Sequence, residues 1–202
     1  MPDSGKKLLS GFSNLYYQEV EDTSSTYKGA TGSTAVRVEG AQSCSATVNK
    51  DTLKVAADDN SGYYSEGTFT DGELTITVAG MKLADLSKLA GATYTEATLT
   101  MDETEVDAAP EVSLSFSGLL AAGEGYRLFR YYNARLSSFQ AGDLNTRGES
   151  TEVASIELTF AFGGRAVDGK FRTMHDIAKP DDASAVTAMT TWLTTVPAVP
   201  AG

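Results

Sequence analysis

The stretch Asp71–Gly91, DGELTITVAGMKLADLSKLAG, decides the fold. Asp71-Gly72 is a turn dipeptide, after which Leu74, Ile76 and Val78 alternate with Glu73, Thr75 and Thr77. Alternation of this kind predicts a strand with one buried face. The period then changes. Leu83, Leu86, Leu89 and Ala90 recur at helical spacing, which predicts a short helix over about Lys82–Ala90, closed by Gly91 as a left-handed C-cap. A helix of two to three turns does not hold in water alone, so it must lie on a sheet.

Strands able to form that sheet flank it on both sides. Phe12–Val20, FSNLYYQEV, carries bulky residues on both faces and reads as a strand covered on both. Glu21–Ser33 reads as a loop, and Thr34–Val48 as one bent strand or two, broken near Gly40. Glu111–Gly118 alternates Val112, Leu114 and Phe116 inward with Ser113, Ser115 and Ser117 outward. Ser155–Gly163 sets Ile156, Leu158, Phe160 and Phe162 against Ser155, Glu157, Thr159 and Ala161. Asp168-Gly169 signals a hairpin leading into Lys170–Met174.

Two segments stand out. Asn49–Gly67 reads as a long inter-strand loop, either a solvated tip or a functional contact, carrying Asp51, Lys54, Asp58, Asp59 and the pair Tyr63-Tyr64. Tyr126–Phe139 reads as a long strand with Leu128, Arg130, Tyr132 and Leu136 on one face and Arg127, Phe129, Tyr131 and Arg135 on the other. Aromatics and arginines on both faces suit a strand held between the core and a neighbouring subunit, or a central strand with snorkelling arginines.

The fold class expected is therefore mainly β, a sandwich or partial barrel with one short packed helix. An N-terminal arm (1–11), a β domain (12–177) and a C-terminal arm (178–202) divide the chain. Within that last arm the pattern allows either a helix begun at Pro180 and Asp181 or a strand.

Composition narrows the function. The 202 residues carry a net charge of −11, which opposes ordinary nucleic-acid binding, a process that needs Lys and Arg to displace counterions. One cysteine, Cys44, leaves no internal disulfide and no cysteine-based metal site, and reads as a structural thiol. No apolar run is long enough for a membrane span, and the N-terminal residues lack the apolar core of a signal peptide. His175 beside Asp176 reads as a surface pair, and no nucleophile elbow, phosphate loop or zinc-protease motif occurs. Neither catalysis nor a cofactor is expected.

Taken in order, FSNLYYQEV, the Ala57–Asp59 segment, DGELTITVAGMKLADLSKLAG, APEVSLSFSGLL, GYRLFRYYNARLSSF, IELTF and DGKFR resemble the major tail protein family of long, non-contractile-tailed phages, often called the phi13 type. The resemblance covers roughly residues 12–177, and the stretch after Asp181 departs from the family's short acidic ending. It implies a tail-tube fold whose copies form hexameric rings that stack into a tube for the genome. Tail terminator, distal tail and tape measure proteins are the implied partners, with viral DNA passing through the lumen without specific binding. Three groups of residues acquire roles from it. Glu73, Thr75, Thr77, Glu111, Ser113, Ser115, Ser155, Glu157 and Thr159 are expected to line the lumen. Asp51, Lys54, Asp58, Asp59, Tyr63 and Tyr64 are expected to reach the next ring, and Arg127, Phe129, Tyr131 and Arg135 to join subunits. A tube protein of a contractile injection or secretion machine, or a cell-surface β-sandwich, are the alternatives.

Overall fold

The computed structural model describes residues 8–57, 60–121, 124–141 and 154–200. Its strands are β1 (Leu9–Thr23), β2 (Thr26–Gly29), β3 (Val36–Val38), β4 (Ala41–Ala57), β5 (Asn60–Val78), β6 (Thr93–Thr95), β7 (Thr100–Asp102), β8 (Val112–Leu120), β9 (Gly125–Ala141), β10 (Ile156–Gly163), β11 (Arg172–Ala178) and β12 (Val199–Pro200). Two helices join them, α1 (Leu83–Ala90) and α2 (Ala183–Thr194). The main sheet runs β12-β2-β1-β8-β9-β10-β5-β4, with β11 also on β9 and β3 also on β1. Every pairing is antiparallel.

The sheet curls back on itself. β4 is the last strand of the path, yet β3, its extension across Gly40, pairs Val38 with Leu15 and Val36 with Tyr17 of β1. Gly40 makes the corner with φ of 76°, and the Ala79 amide donates to its carbonyl at 2.8 Å. The enclosed core gathers Leu15, Tyr17, Leu74, Ile76, Leu114, Tyr131, Leu158 and Phe160 from five strands. The alternation seen in sequence for β5 and β10 is the alternation of burial. Helix α1 starts one residue later than expected, adds Leu86 and Leu89 to the same core, and ends at Gly91 with φ of 73°.

Several expectations are corrected. Asp71-Gly72 is no turn: β5 runs straight through it, and Gly72 pairs with both Val48 and Phe162. Glycine is needed there for space, since a Cβ would lie 2.1 Å from the Phe162 ring. Asn49–Gly67 is no loop but most of a two-stranded ribbon, in which β4 and β5 pair from Ala41↔Val78 out to Ala57↔Asn60. Glu21–Ser33 contains β2, which forms a hairpin with the end of β1. Gly169 does occupy a left-handed turn, at φ of 71°, but the strand after it pairs with β9 rather than β10.

The C-terminal segment resolves as a helix. Asp182 accepts from the Ala185 amide at 2.7 Å as its N-cap, and β12 then docks on β2. Leu193 is buried, while Val196 and Val199 pack on a second small cluster of Val20, Tyr27 and Tyr132.

Candidate functional site

One sheet surface is open and one is covered, and this division sorts the residues singled out in sequence. Across β9, β10, β5 and β4, pairing aligns Gln140, Glu157, Thr77 and Ser43 in one row. A second row holds Ser138, Thr159, Thr75 and Ser45, and a third Arg135, Ala161, Glu73 and Thr47. Glu73 and Glu157 are exposed, and Thr75, Thr77 and Thr159 are half-buried. Ser155 lies beside this surface and donates to Gln42 Oε1 at 2.8 Å. The structure therefore brings Glu73, Thr75, Thr77, Ser155, Glu157 and Thr159 onto one polar surface of small hydroxyls and carboxylates.

Ser113 and Ser115 do not share it. They are 2% and 3% exposed and lie on the covered surface, so neither lines a lumen from this position. Ser113 Oγ donates to the Tyr131 carbonyl at 3.2 Å, and Ser115 Oγ accepts from Arg130 Nε at 3.1 Å. The cover is α2, which packs on β1 and β8 and lays Trp192 4.2 Å from the Arg130 guanidinium carbon. Serine suits the position because its small side chain lets the helix approach while meeting a buried donor or acceptor. Glu111 sits at the boundary, ion-paired with Arg135 at 2.5 Å.

The β9 residues expected between subunits are mostly committed within the chain. Tyr131 is 1% exposed in the core, and Phe129 stacks on Phe116 with ring centroids 5.1 Å apart. Arg127 forms a forked pair with Asp176 at 2.6 and 2.9 Å. Only Arg135 stays exposed. The reason for the misplaced faces is a pair of register breaks in β9. One falls between Tyr131 and Ala134 against β8, the other between Leu136 and Ser138 against β10. Each changes which residues point inward, so Leu136 joins the core while Leu128, Arg130 and Tyr132 face the other way.

The ribbon is the other prominent feature. β10 pairs with β5 only from Gly72 to Val78, so beyond Asp71 the two ribbon strands pair with each other alone. Asp51 and Lys54 are exposed on it, Leu53 is 60% exposed, and Tyr64 is 47% exposed with its hydroxyl on Glu66 at 2.7 Å. Asp58 and Asp59 lie outside the described residues, as does the Tyr63 side chain.

Sequence reasoning missed Arg130 and Trp192. Arg130 is 4% exposed, its Nη2 has no hydrogen-bond partner, and burial lowers its affinity for the proton. The missing signal was the fate of α2, which no local pattern gives. His175 stacks on Trp192 with ring centroids 6.2 Å apart, and the neighbouring Asp176 is held by Arg127. Burial pushes the Cys44 thiol up to about 12, which makes it a poor nucleophile. Among the described residues, no cluster of three or more metal-ligating side chains occurs. No described helix is long and apolar enough to cross a membrane.

No protein-family model matches the sequence, and no curated protein matches it. Solved structures do. The chain is similar to the tube-terminating cap of the anti-feeding prophage, with a TM-score of 0.50 and 11% identity over 88% of this chain and 100% of that one. A chain of the sheath–tube complex of the PVC extracellular contractile injection system, in its extended state, aligns with a TM-score of 0.46 and 12% identity over 81% of this chain and 89% of that one. The architecture is thus mainly β and of the tail-tube type.

Proposed function

We propose that this chain is a structural, non-enzymatic protein of a phage-type tail, whose copies form hexameric rings that stack into a tube for genome delivery. The β4–β5 ribbon carries this reading. A two-stranded ribbon is marginal in water without further support, and this one holds Leu53 and Tyr64 out into solvent. Those costs are met when the ribbon lies against another copy. Stacked rings provide that contact along the whole tube, because a heterologous interface that does not close grows into a filament.

The open surface of β9, β10, β5 and β4 suits the tube wall. Its hydroxyls are neutral, and Glu73 and Glu157 repel phosphates, so DNA finds few partners as it passes. A ring of six copies multiplies a net charge of −11 sixfold. Within this reading the protein resides in the virion tail. Its partners are further copies of itself and the terminator, distal tail and tape measure proteins at the ends and along the lumen.

Electron microscopy of concentrated purified protein, alone and with its tail partners, is the test. Rings or tubes are expected, and deleting Asp51–Tyr64 is expected to leave a folded subunit that does not elongate. A protein that stays monomeric under all these conditions sinks the proposal. A second reading, a cap that ends a tube, is favoured by the alignment over the whole of the prophage cap chain. It predicts single rings that never stack and that bind only the end of a tube.

A further inference from the structure

Charge along the sequence is divided unevenly. Between Glu96 and Glu111 there are six carboxylates, those of Glu96, Asp102, Glu103, Glu105, Asp107 and Glu111, and no lysine or arginine. Between Arg165 and Lys179 the balance reverses, with Arg165, Lys170, Arg172 and Lys179 against Asp168 and Asp176. Each segment also carries a matching apolar feature, one convex and one concave.

The convex feature is Val106, 87% exposed, the most exposed of the described large apolar side chains. It is held out by a closed turn. Thr104 donates to Asp107 through its amide at 2.8 Å and its hydroxyl at 2.7 Å, and the Asp107 amide returns a bond to the Thr104 carbonyl. A knob fixed in this way has already lost the conformational freedom that docking would otherwise cost. The concave feature is a groove of about 490 Å³ between α2 and β11, with Leu128, Ile177, Met189 and Trp192 among its walls. Lys179 and His175 stand on it, and among the described residues Asp181 is its only acidic wall residue.

Knob and groove do not meet within one chain. The groove reaches β9 at Leu128, whereas the acidic turn lies beside Leu136–Phe139 at the other end of that strand. The separation is roughly 30 Å at the usual rise of a strand. We propose that the Thr104–Asp107 turn of one copy seats Val106 in the α2–β11 groove of the next copy, with Glu103 and Glu105 facing Lys179 and His175. Such a contact is head-to-tail, and its repetition generates a ring or a filament. It rests on the assembly reading above and adds to it a second interface, distinct from the ribbon. It also gives α2 a role, since the helix buries only Leu193 fully yet supplies one wall of the groove.

Cross-linking between two differently marked chains tests it. Val106→Cys in one chain and Met189→Cys in the other, each with Cys44→Ala, are mixed and oxidised with copper phenanthroline. A disulfide-linked pair is expected only in the mixture. A chain bearing both cysteines is expected to give a ladder of multimers with no internal bond. Lys179→Glu is expected to lower the yield on the order of tenfold, with recovery when the facing chain carries Glu105→Lys. Rings or tubes that form without the cross-link overturn this contact and leave the tube reading standing. Absence of both assembly and cross-link overturns both.

Discussion

Gly72→Ala is the sharpest probe of how β5 is built. The position has ordinary extended backbone, so alanine brings no conformational strain, and local propensity alone would make the change neutral or favourable. The surroundings decide otherwise. An added Cβ would lie 2.1, 2.4 and 2.7 Å from three carbons of the Phe162 ring. That ring cannot simply turn away, because it packs on Tyr131 with centroids 4.7 Å apart and beside Phe69 and Phe171 at 6.3 and 6.0 Å. Overpacking at a site of this kind costs about 1–3 kcal/mol. For a chain of this size each kcal/mol moves Tm by about 2–4 °C. Urea and thermal unfolding are expected to show that loss, and Phe162→Leu in the Gly72→Ala background to recover part of it. Gly67→Ala, on the same strand with nothing within 4 Å of its Cβ, is the control. A Gly72→Ala protein within about 0.5 kcal/mol of the parent, the range of ordinary surface changes, would falsify the placement of Phe162 over Gly72.

Arg130→Met is expected to leave stability unchanged or raise it, because a buried guanidinium without a carboxylate partner costs more in desolvation than its contacts return. A loss above about 2 kcal/mol in urea unfolding would show that the Trp192 stack outweighs that cost, since such stacks reach about that value when desolvated. Cys44 in the native protein is expected to resist iodoacetamide at pH 8.5 and to react promptly in urea. Its folded pKa, raised to about 12 from 9.0, favours the neutral thiol, so its contribution to stability is intact below pH 9 and falls away between 9 and 12. An unfolding free energy that stays flat across that window, relative to Cys44→Ala, contradicts the burial. Glu73→Lys with Glu157→Lys is expected to permit assembly yet slow genome ejection, more so at low salt where screening is weak. Ejection at the parental rate counts against the wall assignment.

What the sequence disclosed, and what it hid, follows from where burial leaves a periodic imprint. β5 and β10 each bury one face completely, so Leu74, Ile76 and Val78, and Leu158, Phe160 and Phe162, mark their strands without ambiguity. Where its side chains are described, at residues 49–54 and 64–67, the outer ribbon is exposed on both faces, so nothing there had to alternate, and it passed for a loop. Asp71-Gly72 is a turn signal by local preference, but the glycine answers to a ring 90 positions later in the chain. β9 kept its length and lost its phase, because two register breaks leave no mark in the residues themselves. For α2 the threonines kept a strand open beside a helix. Thr187, Thr190 and Thr194 instead turn their hydroxyls back to carbonyls four residues earlier, and the Asp182 cap with the Leu193 anchor settles the helix.

The distribution of cations bears on the candidate wall more directly than net charge does. An acidic protein can still hold DNA if a few arginines stand free along the path, since each phosphate contact releases counterions wherever it forms. Here the one described arginine aligned with the open surface is engaged, as are two others on the chain. Arg135 borders it but is bound to Glu111, and Arg127 and Arg165 are forked onto Asp176 and Asp168. Arg130, on the same strand as Arg135, is turned to the covered surface under Trp192. Both arginines point away from the core: the register break between Tyr131 and Ala134 brings Arg135 to the side that Arg130 already occupies, and the break between Leu136 and Ser138 brings Ser138 there. The cover that α2 lays over the β8 end of this side of the sheet thus separates the two surfaces. It lets one chain keep an arginine–serine layer beneath a helix while presenting hydroxyls and carboxylates a few residues away.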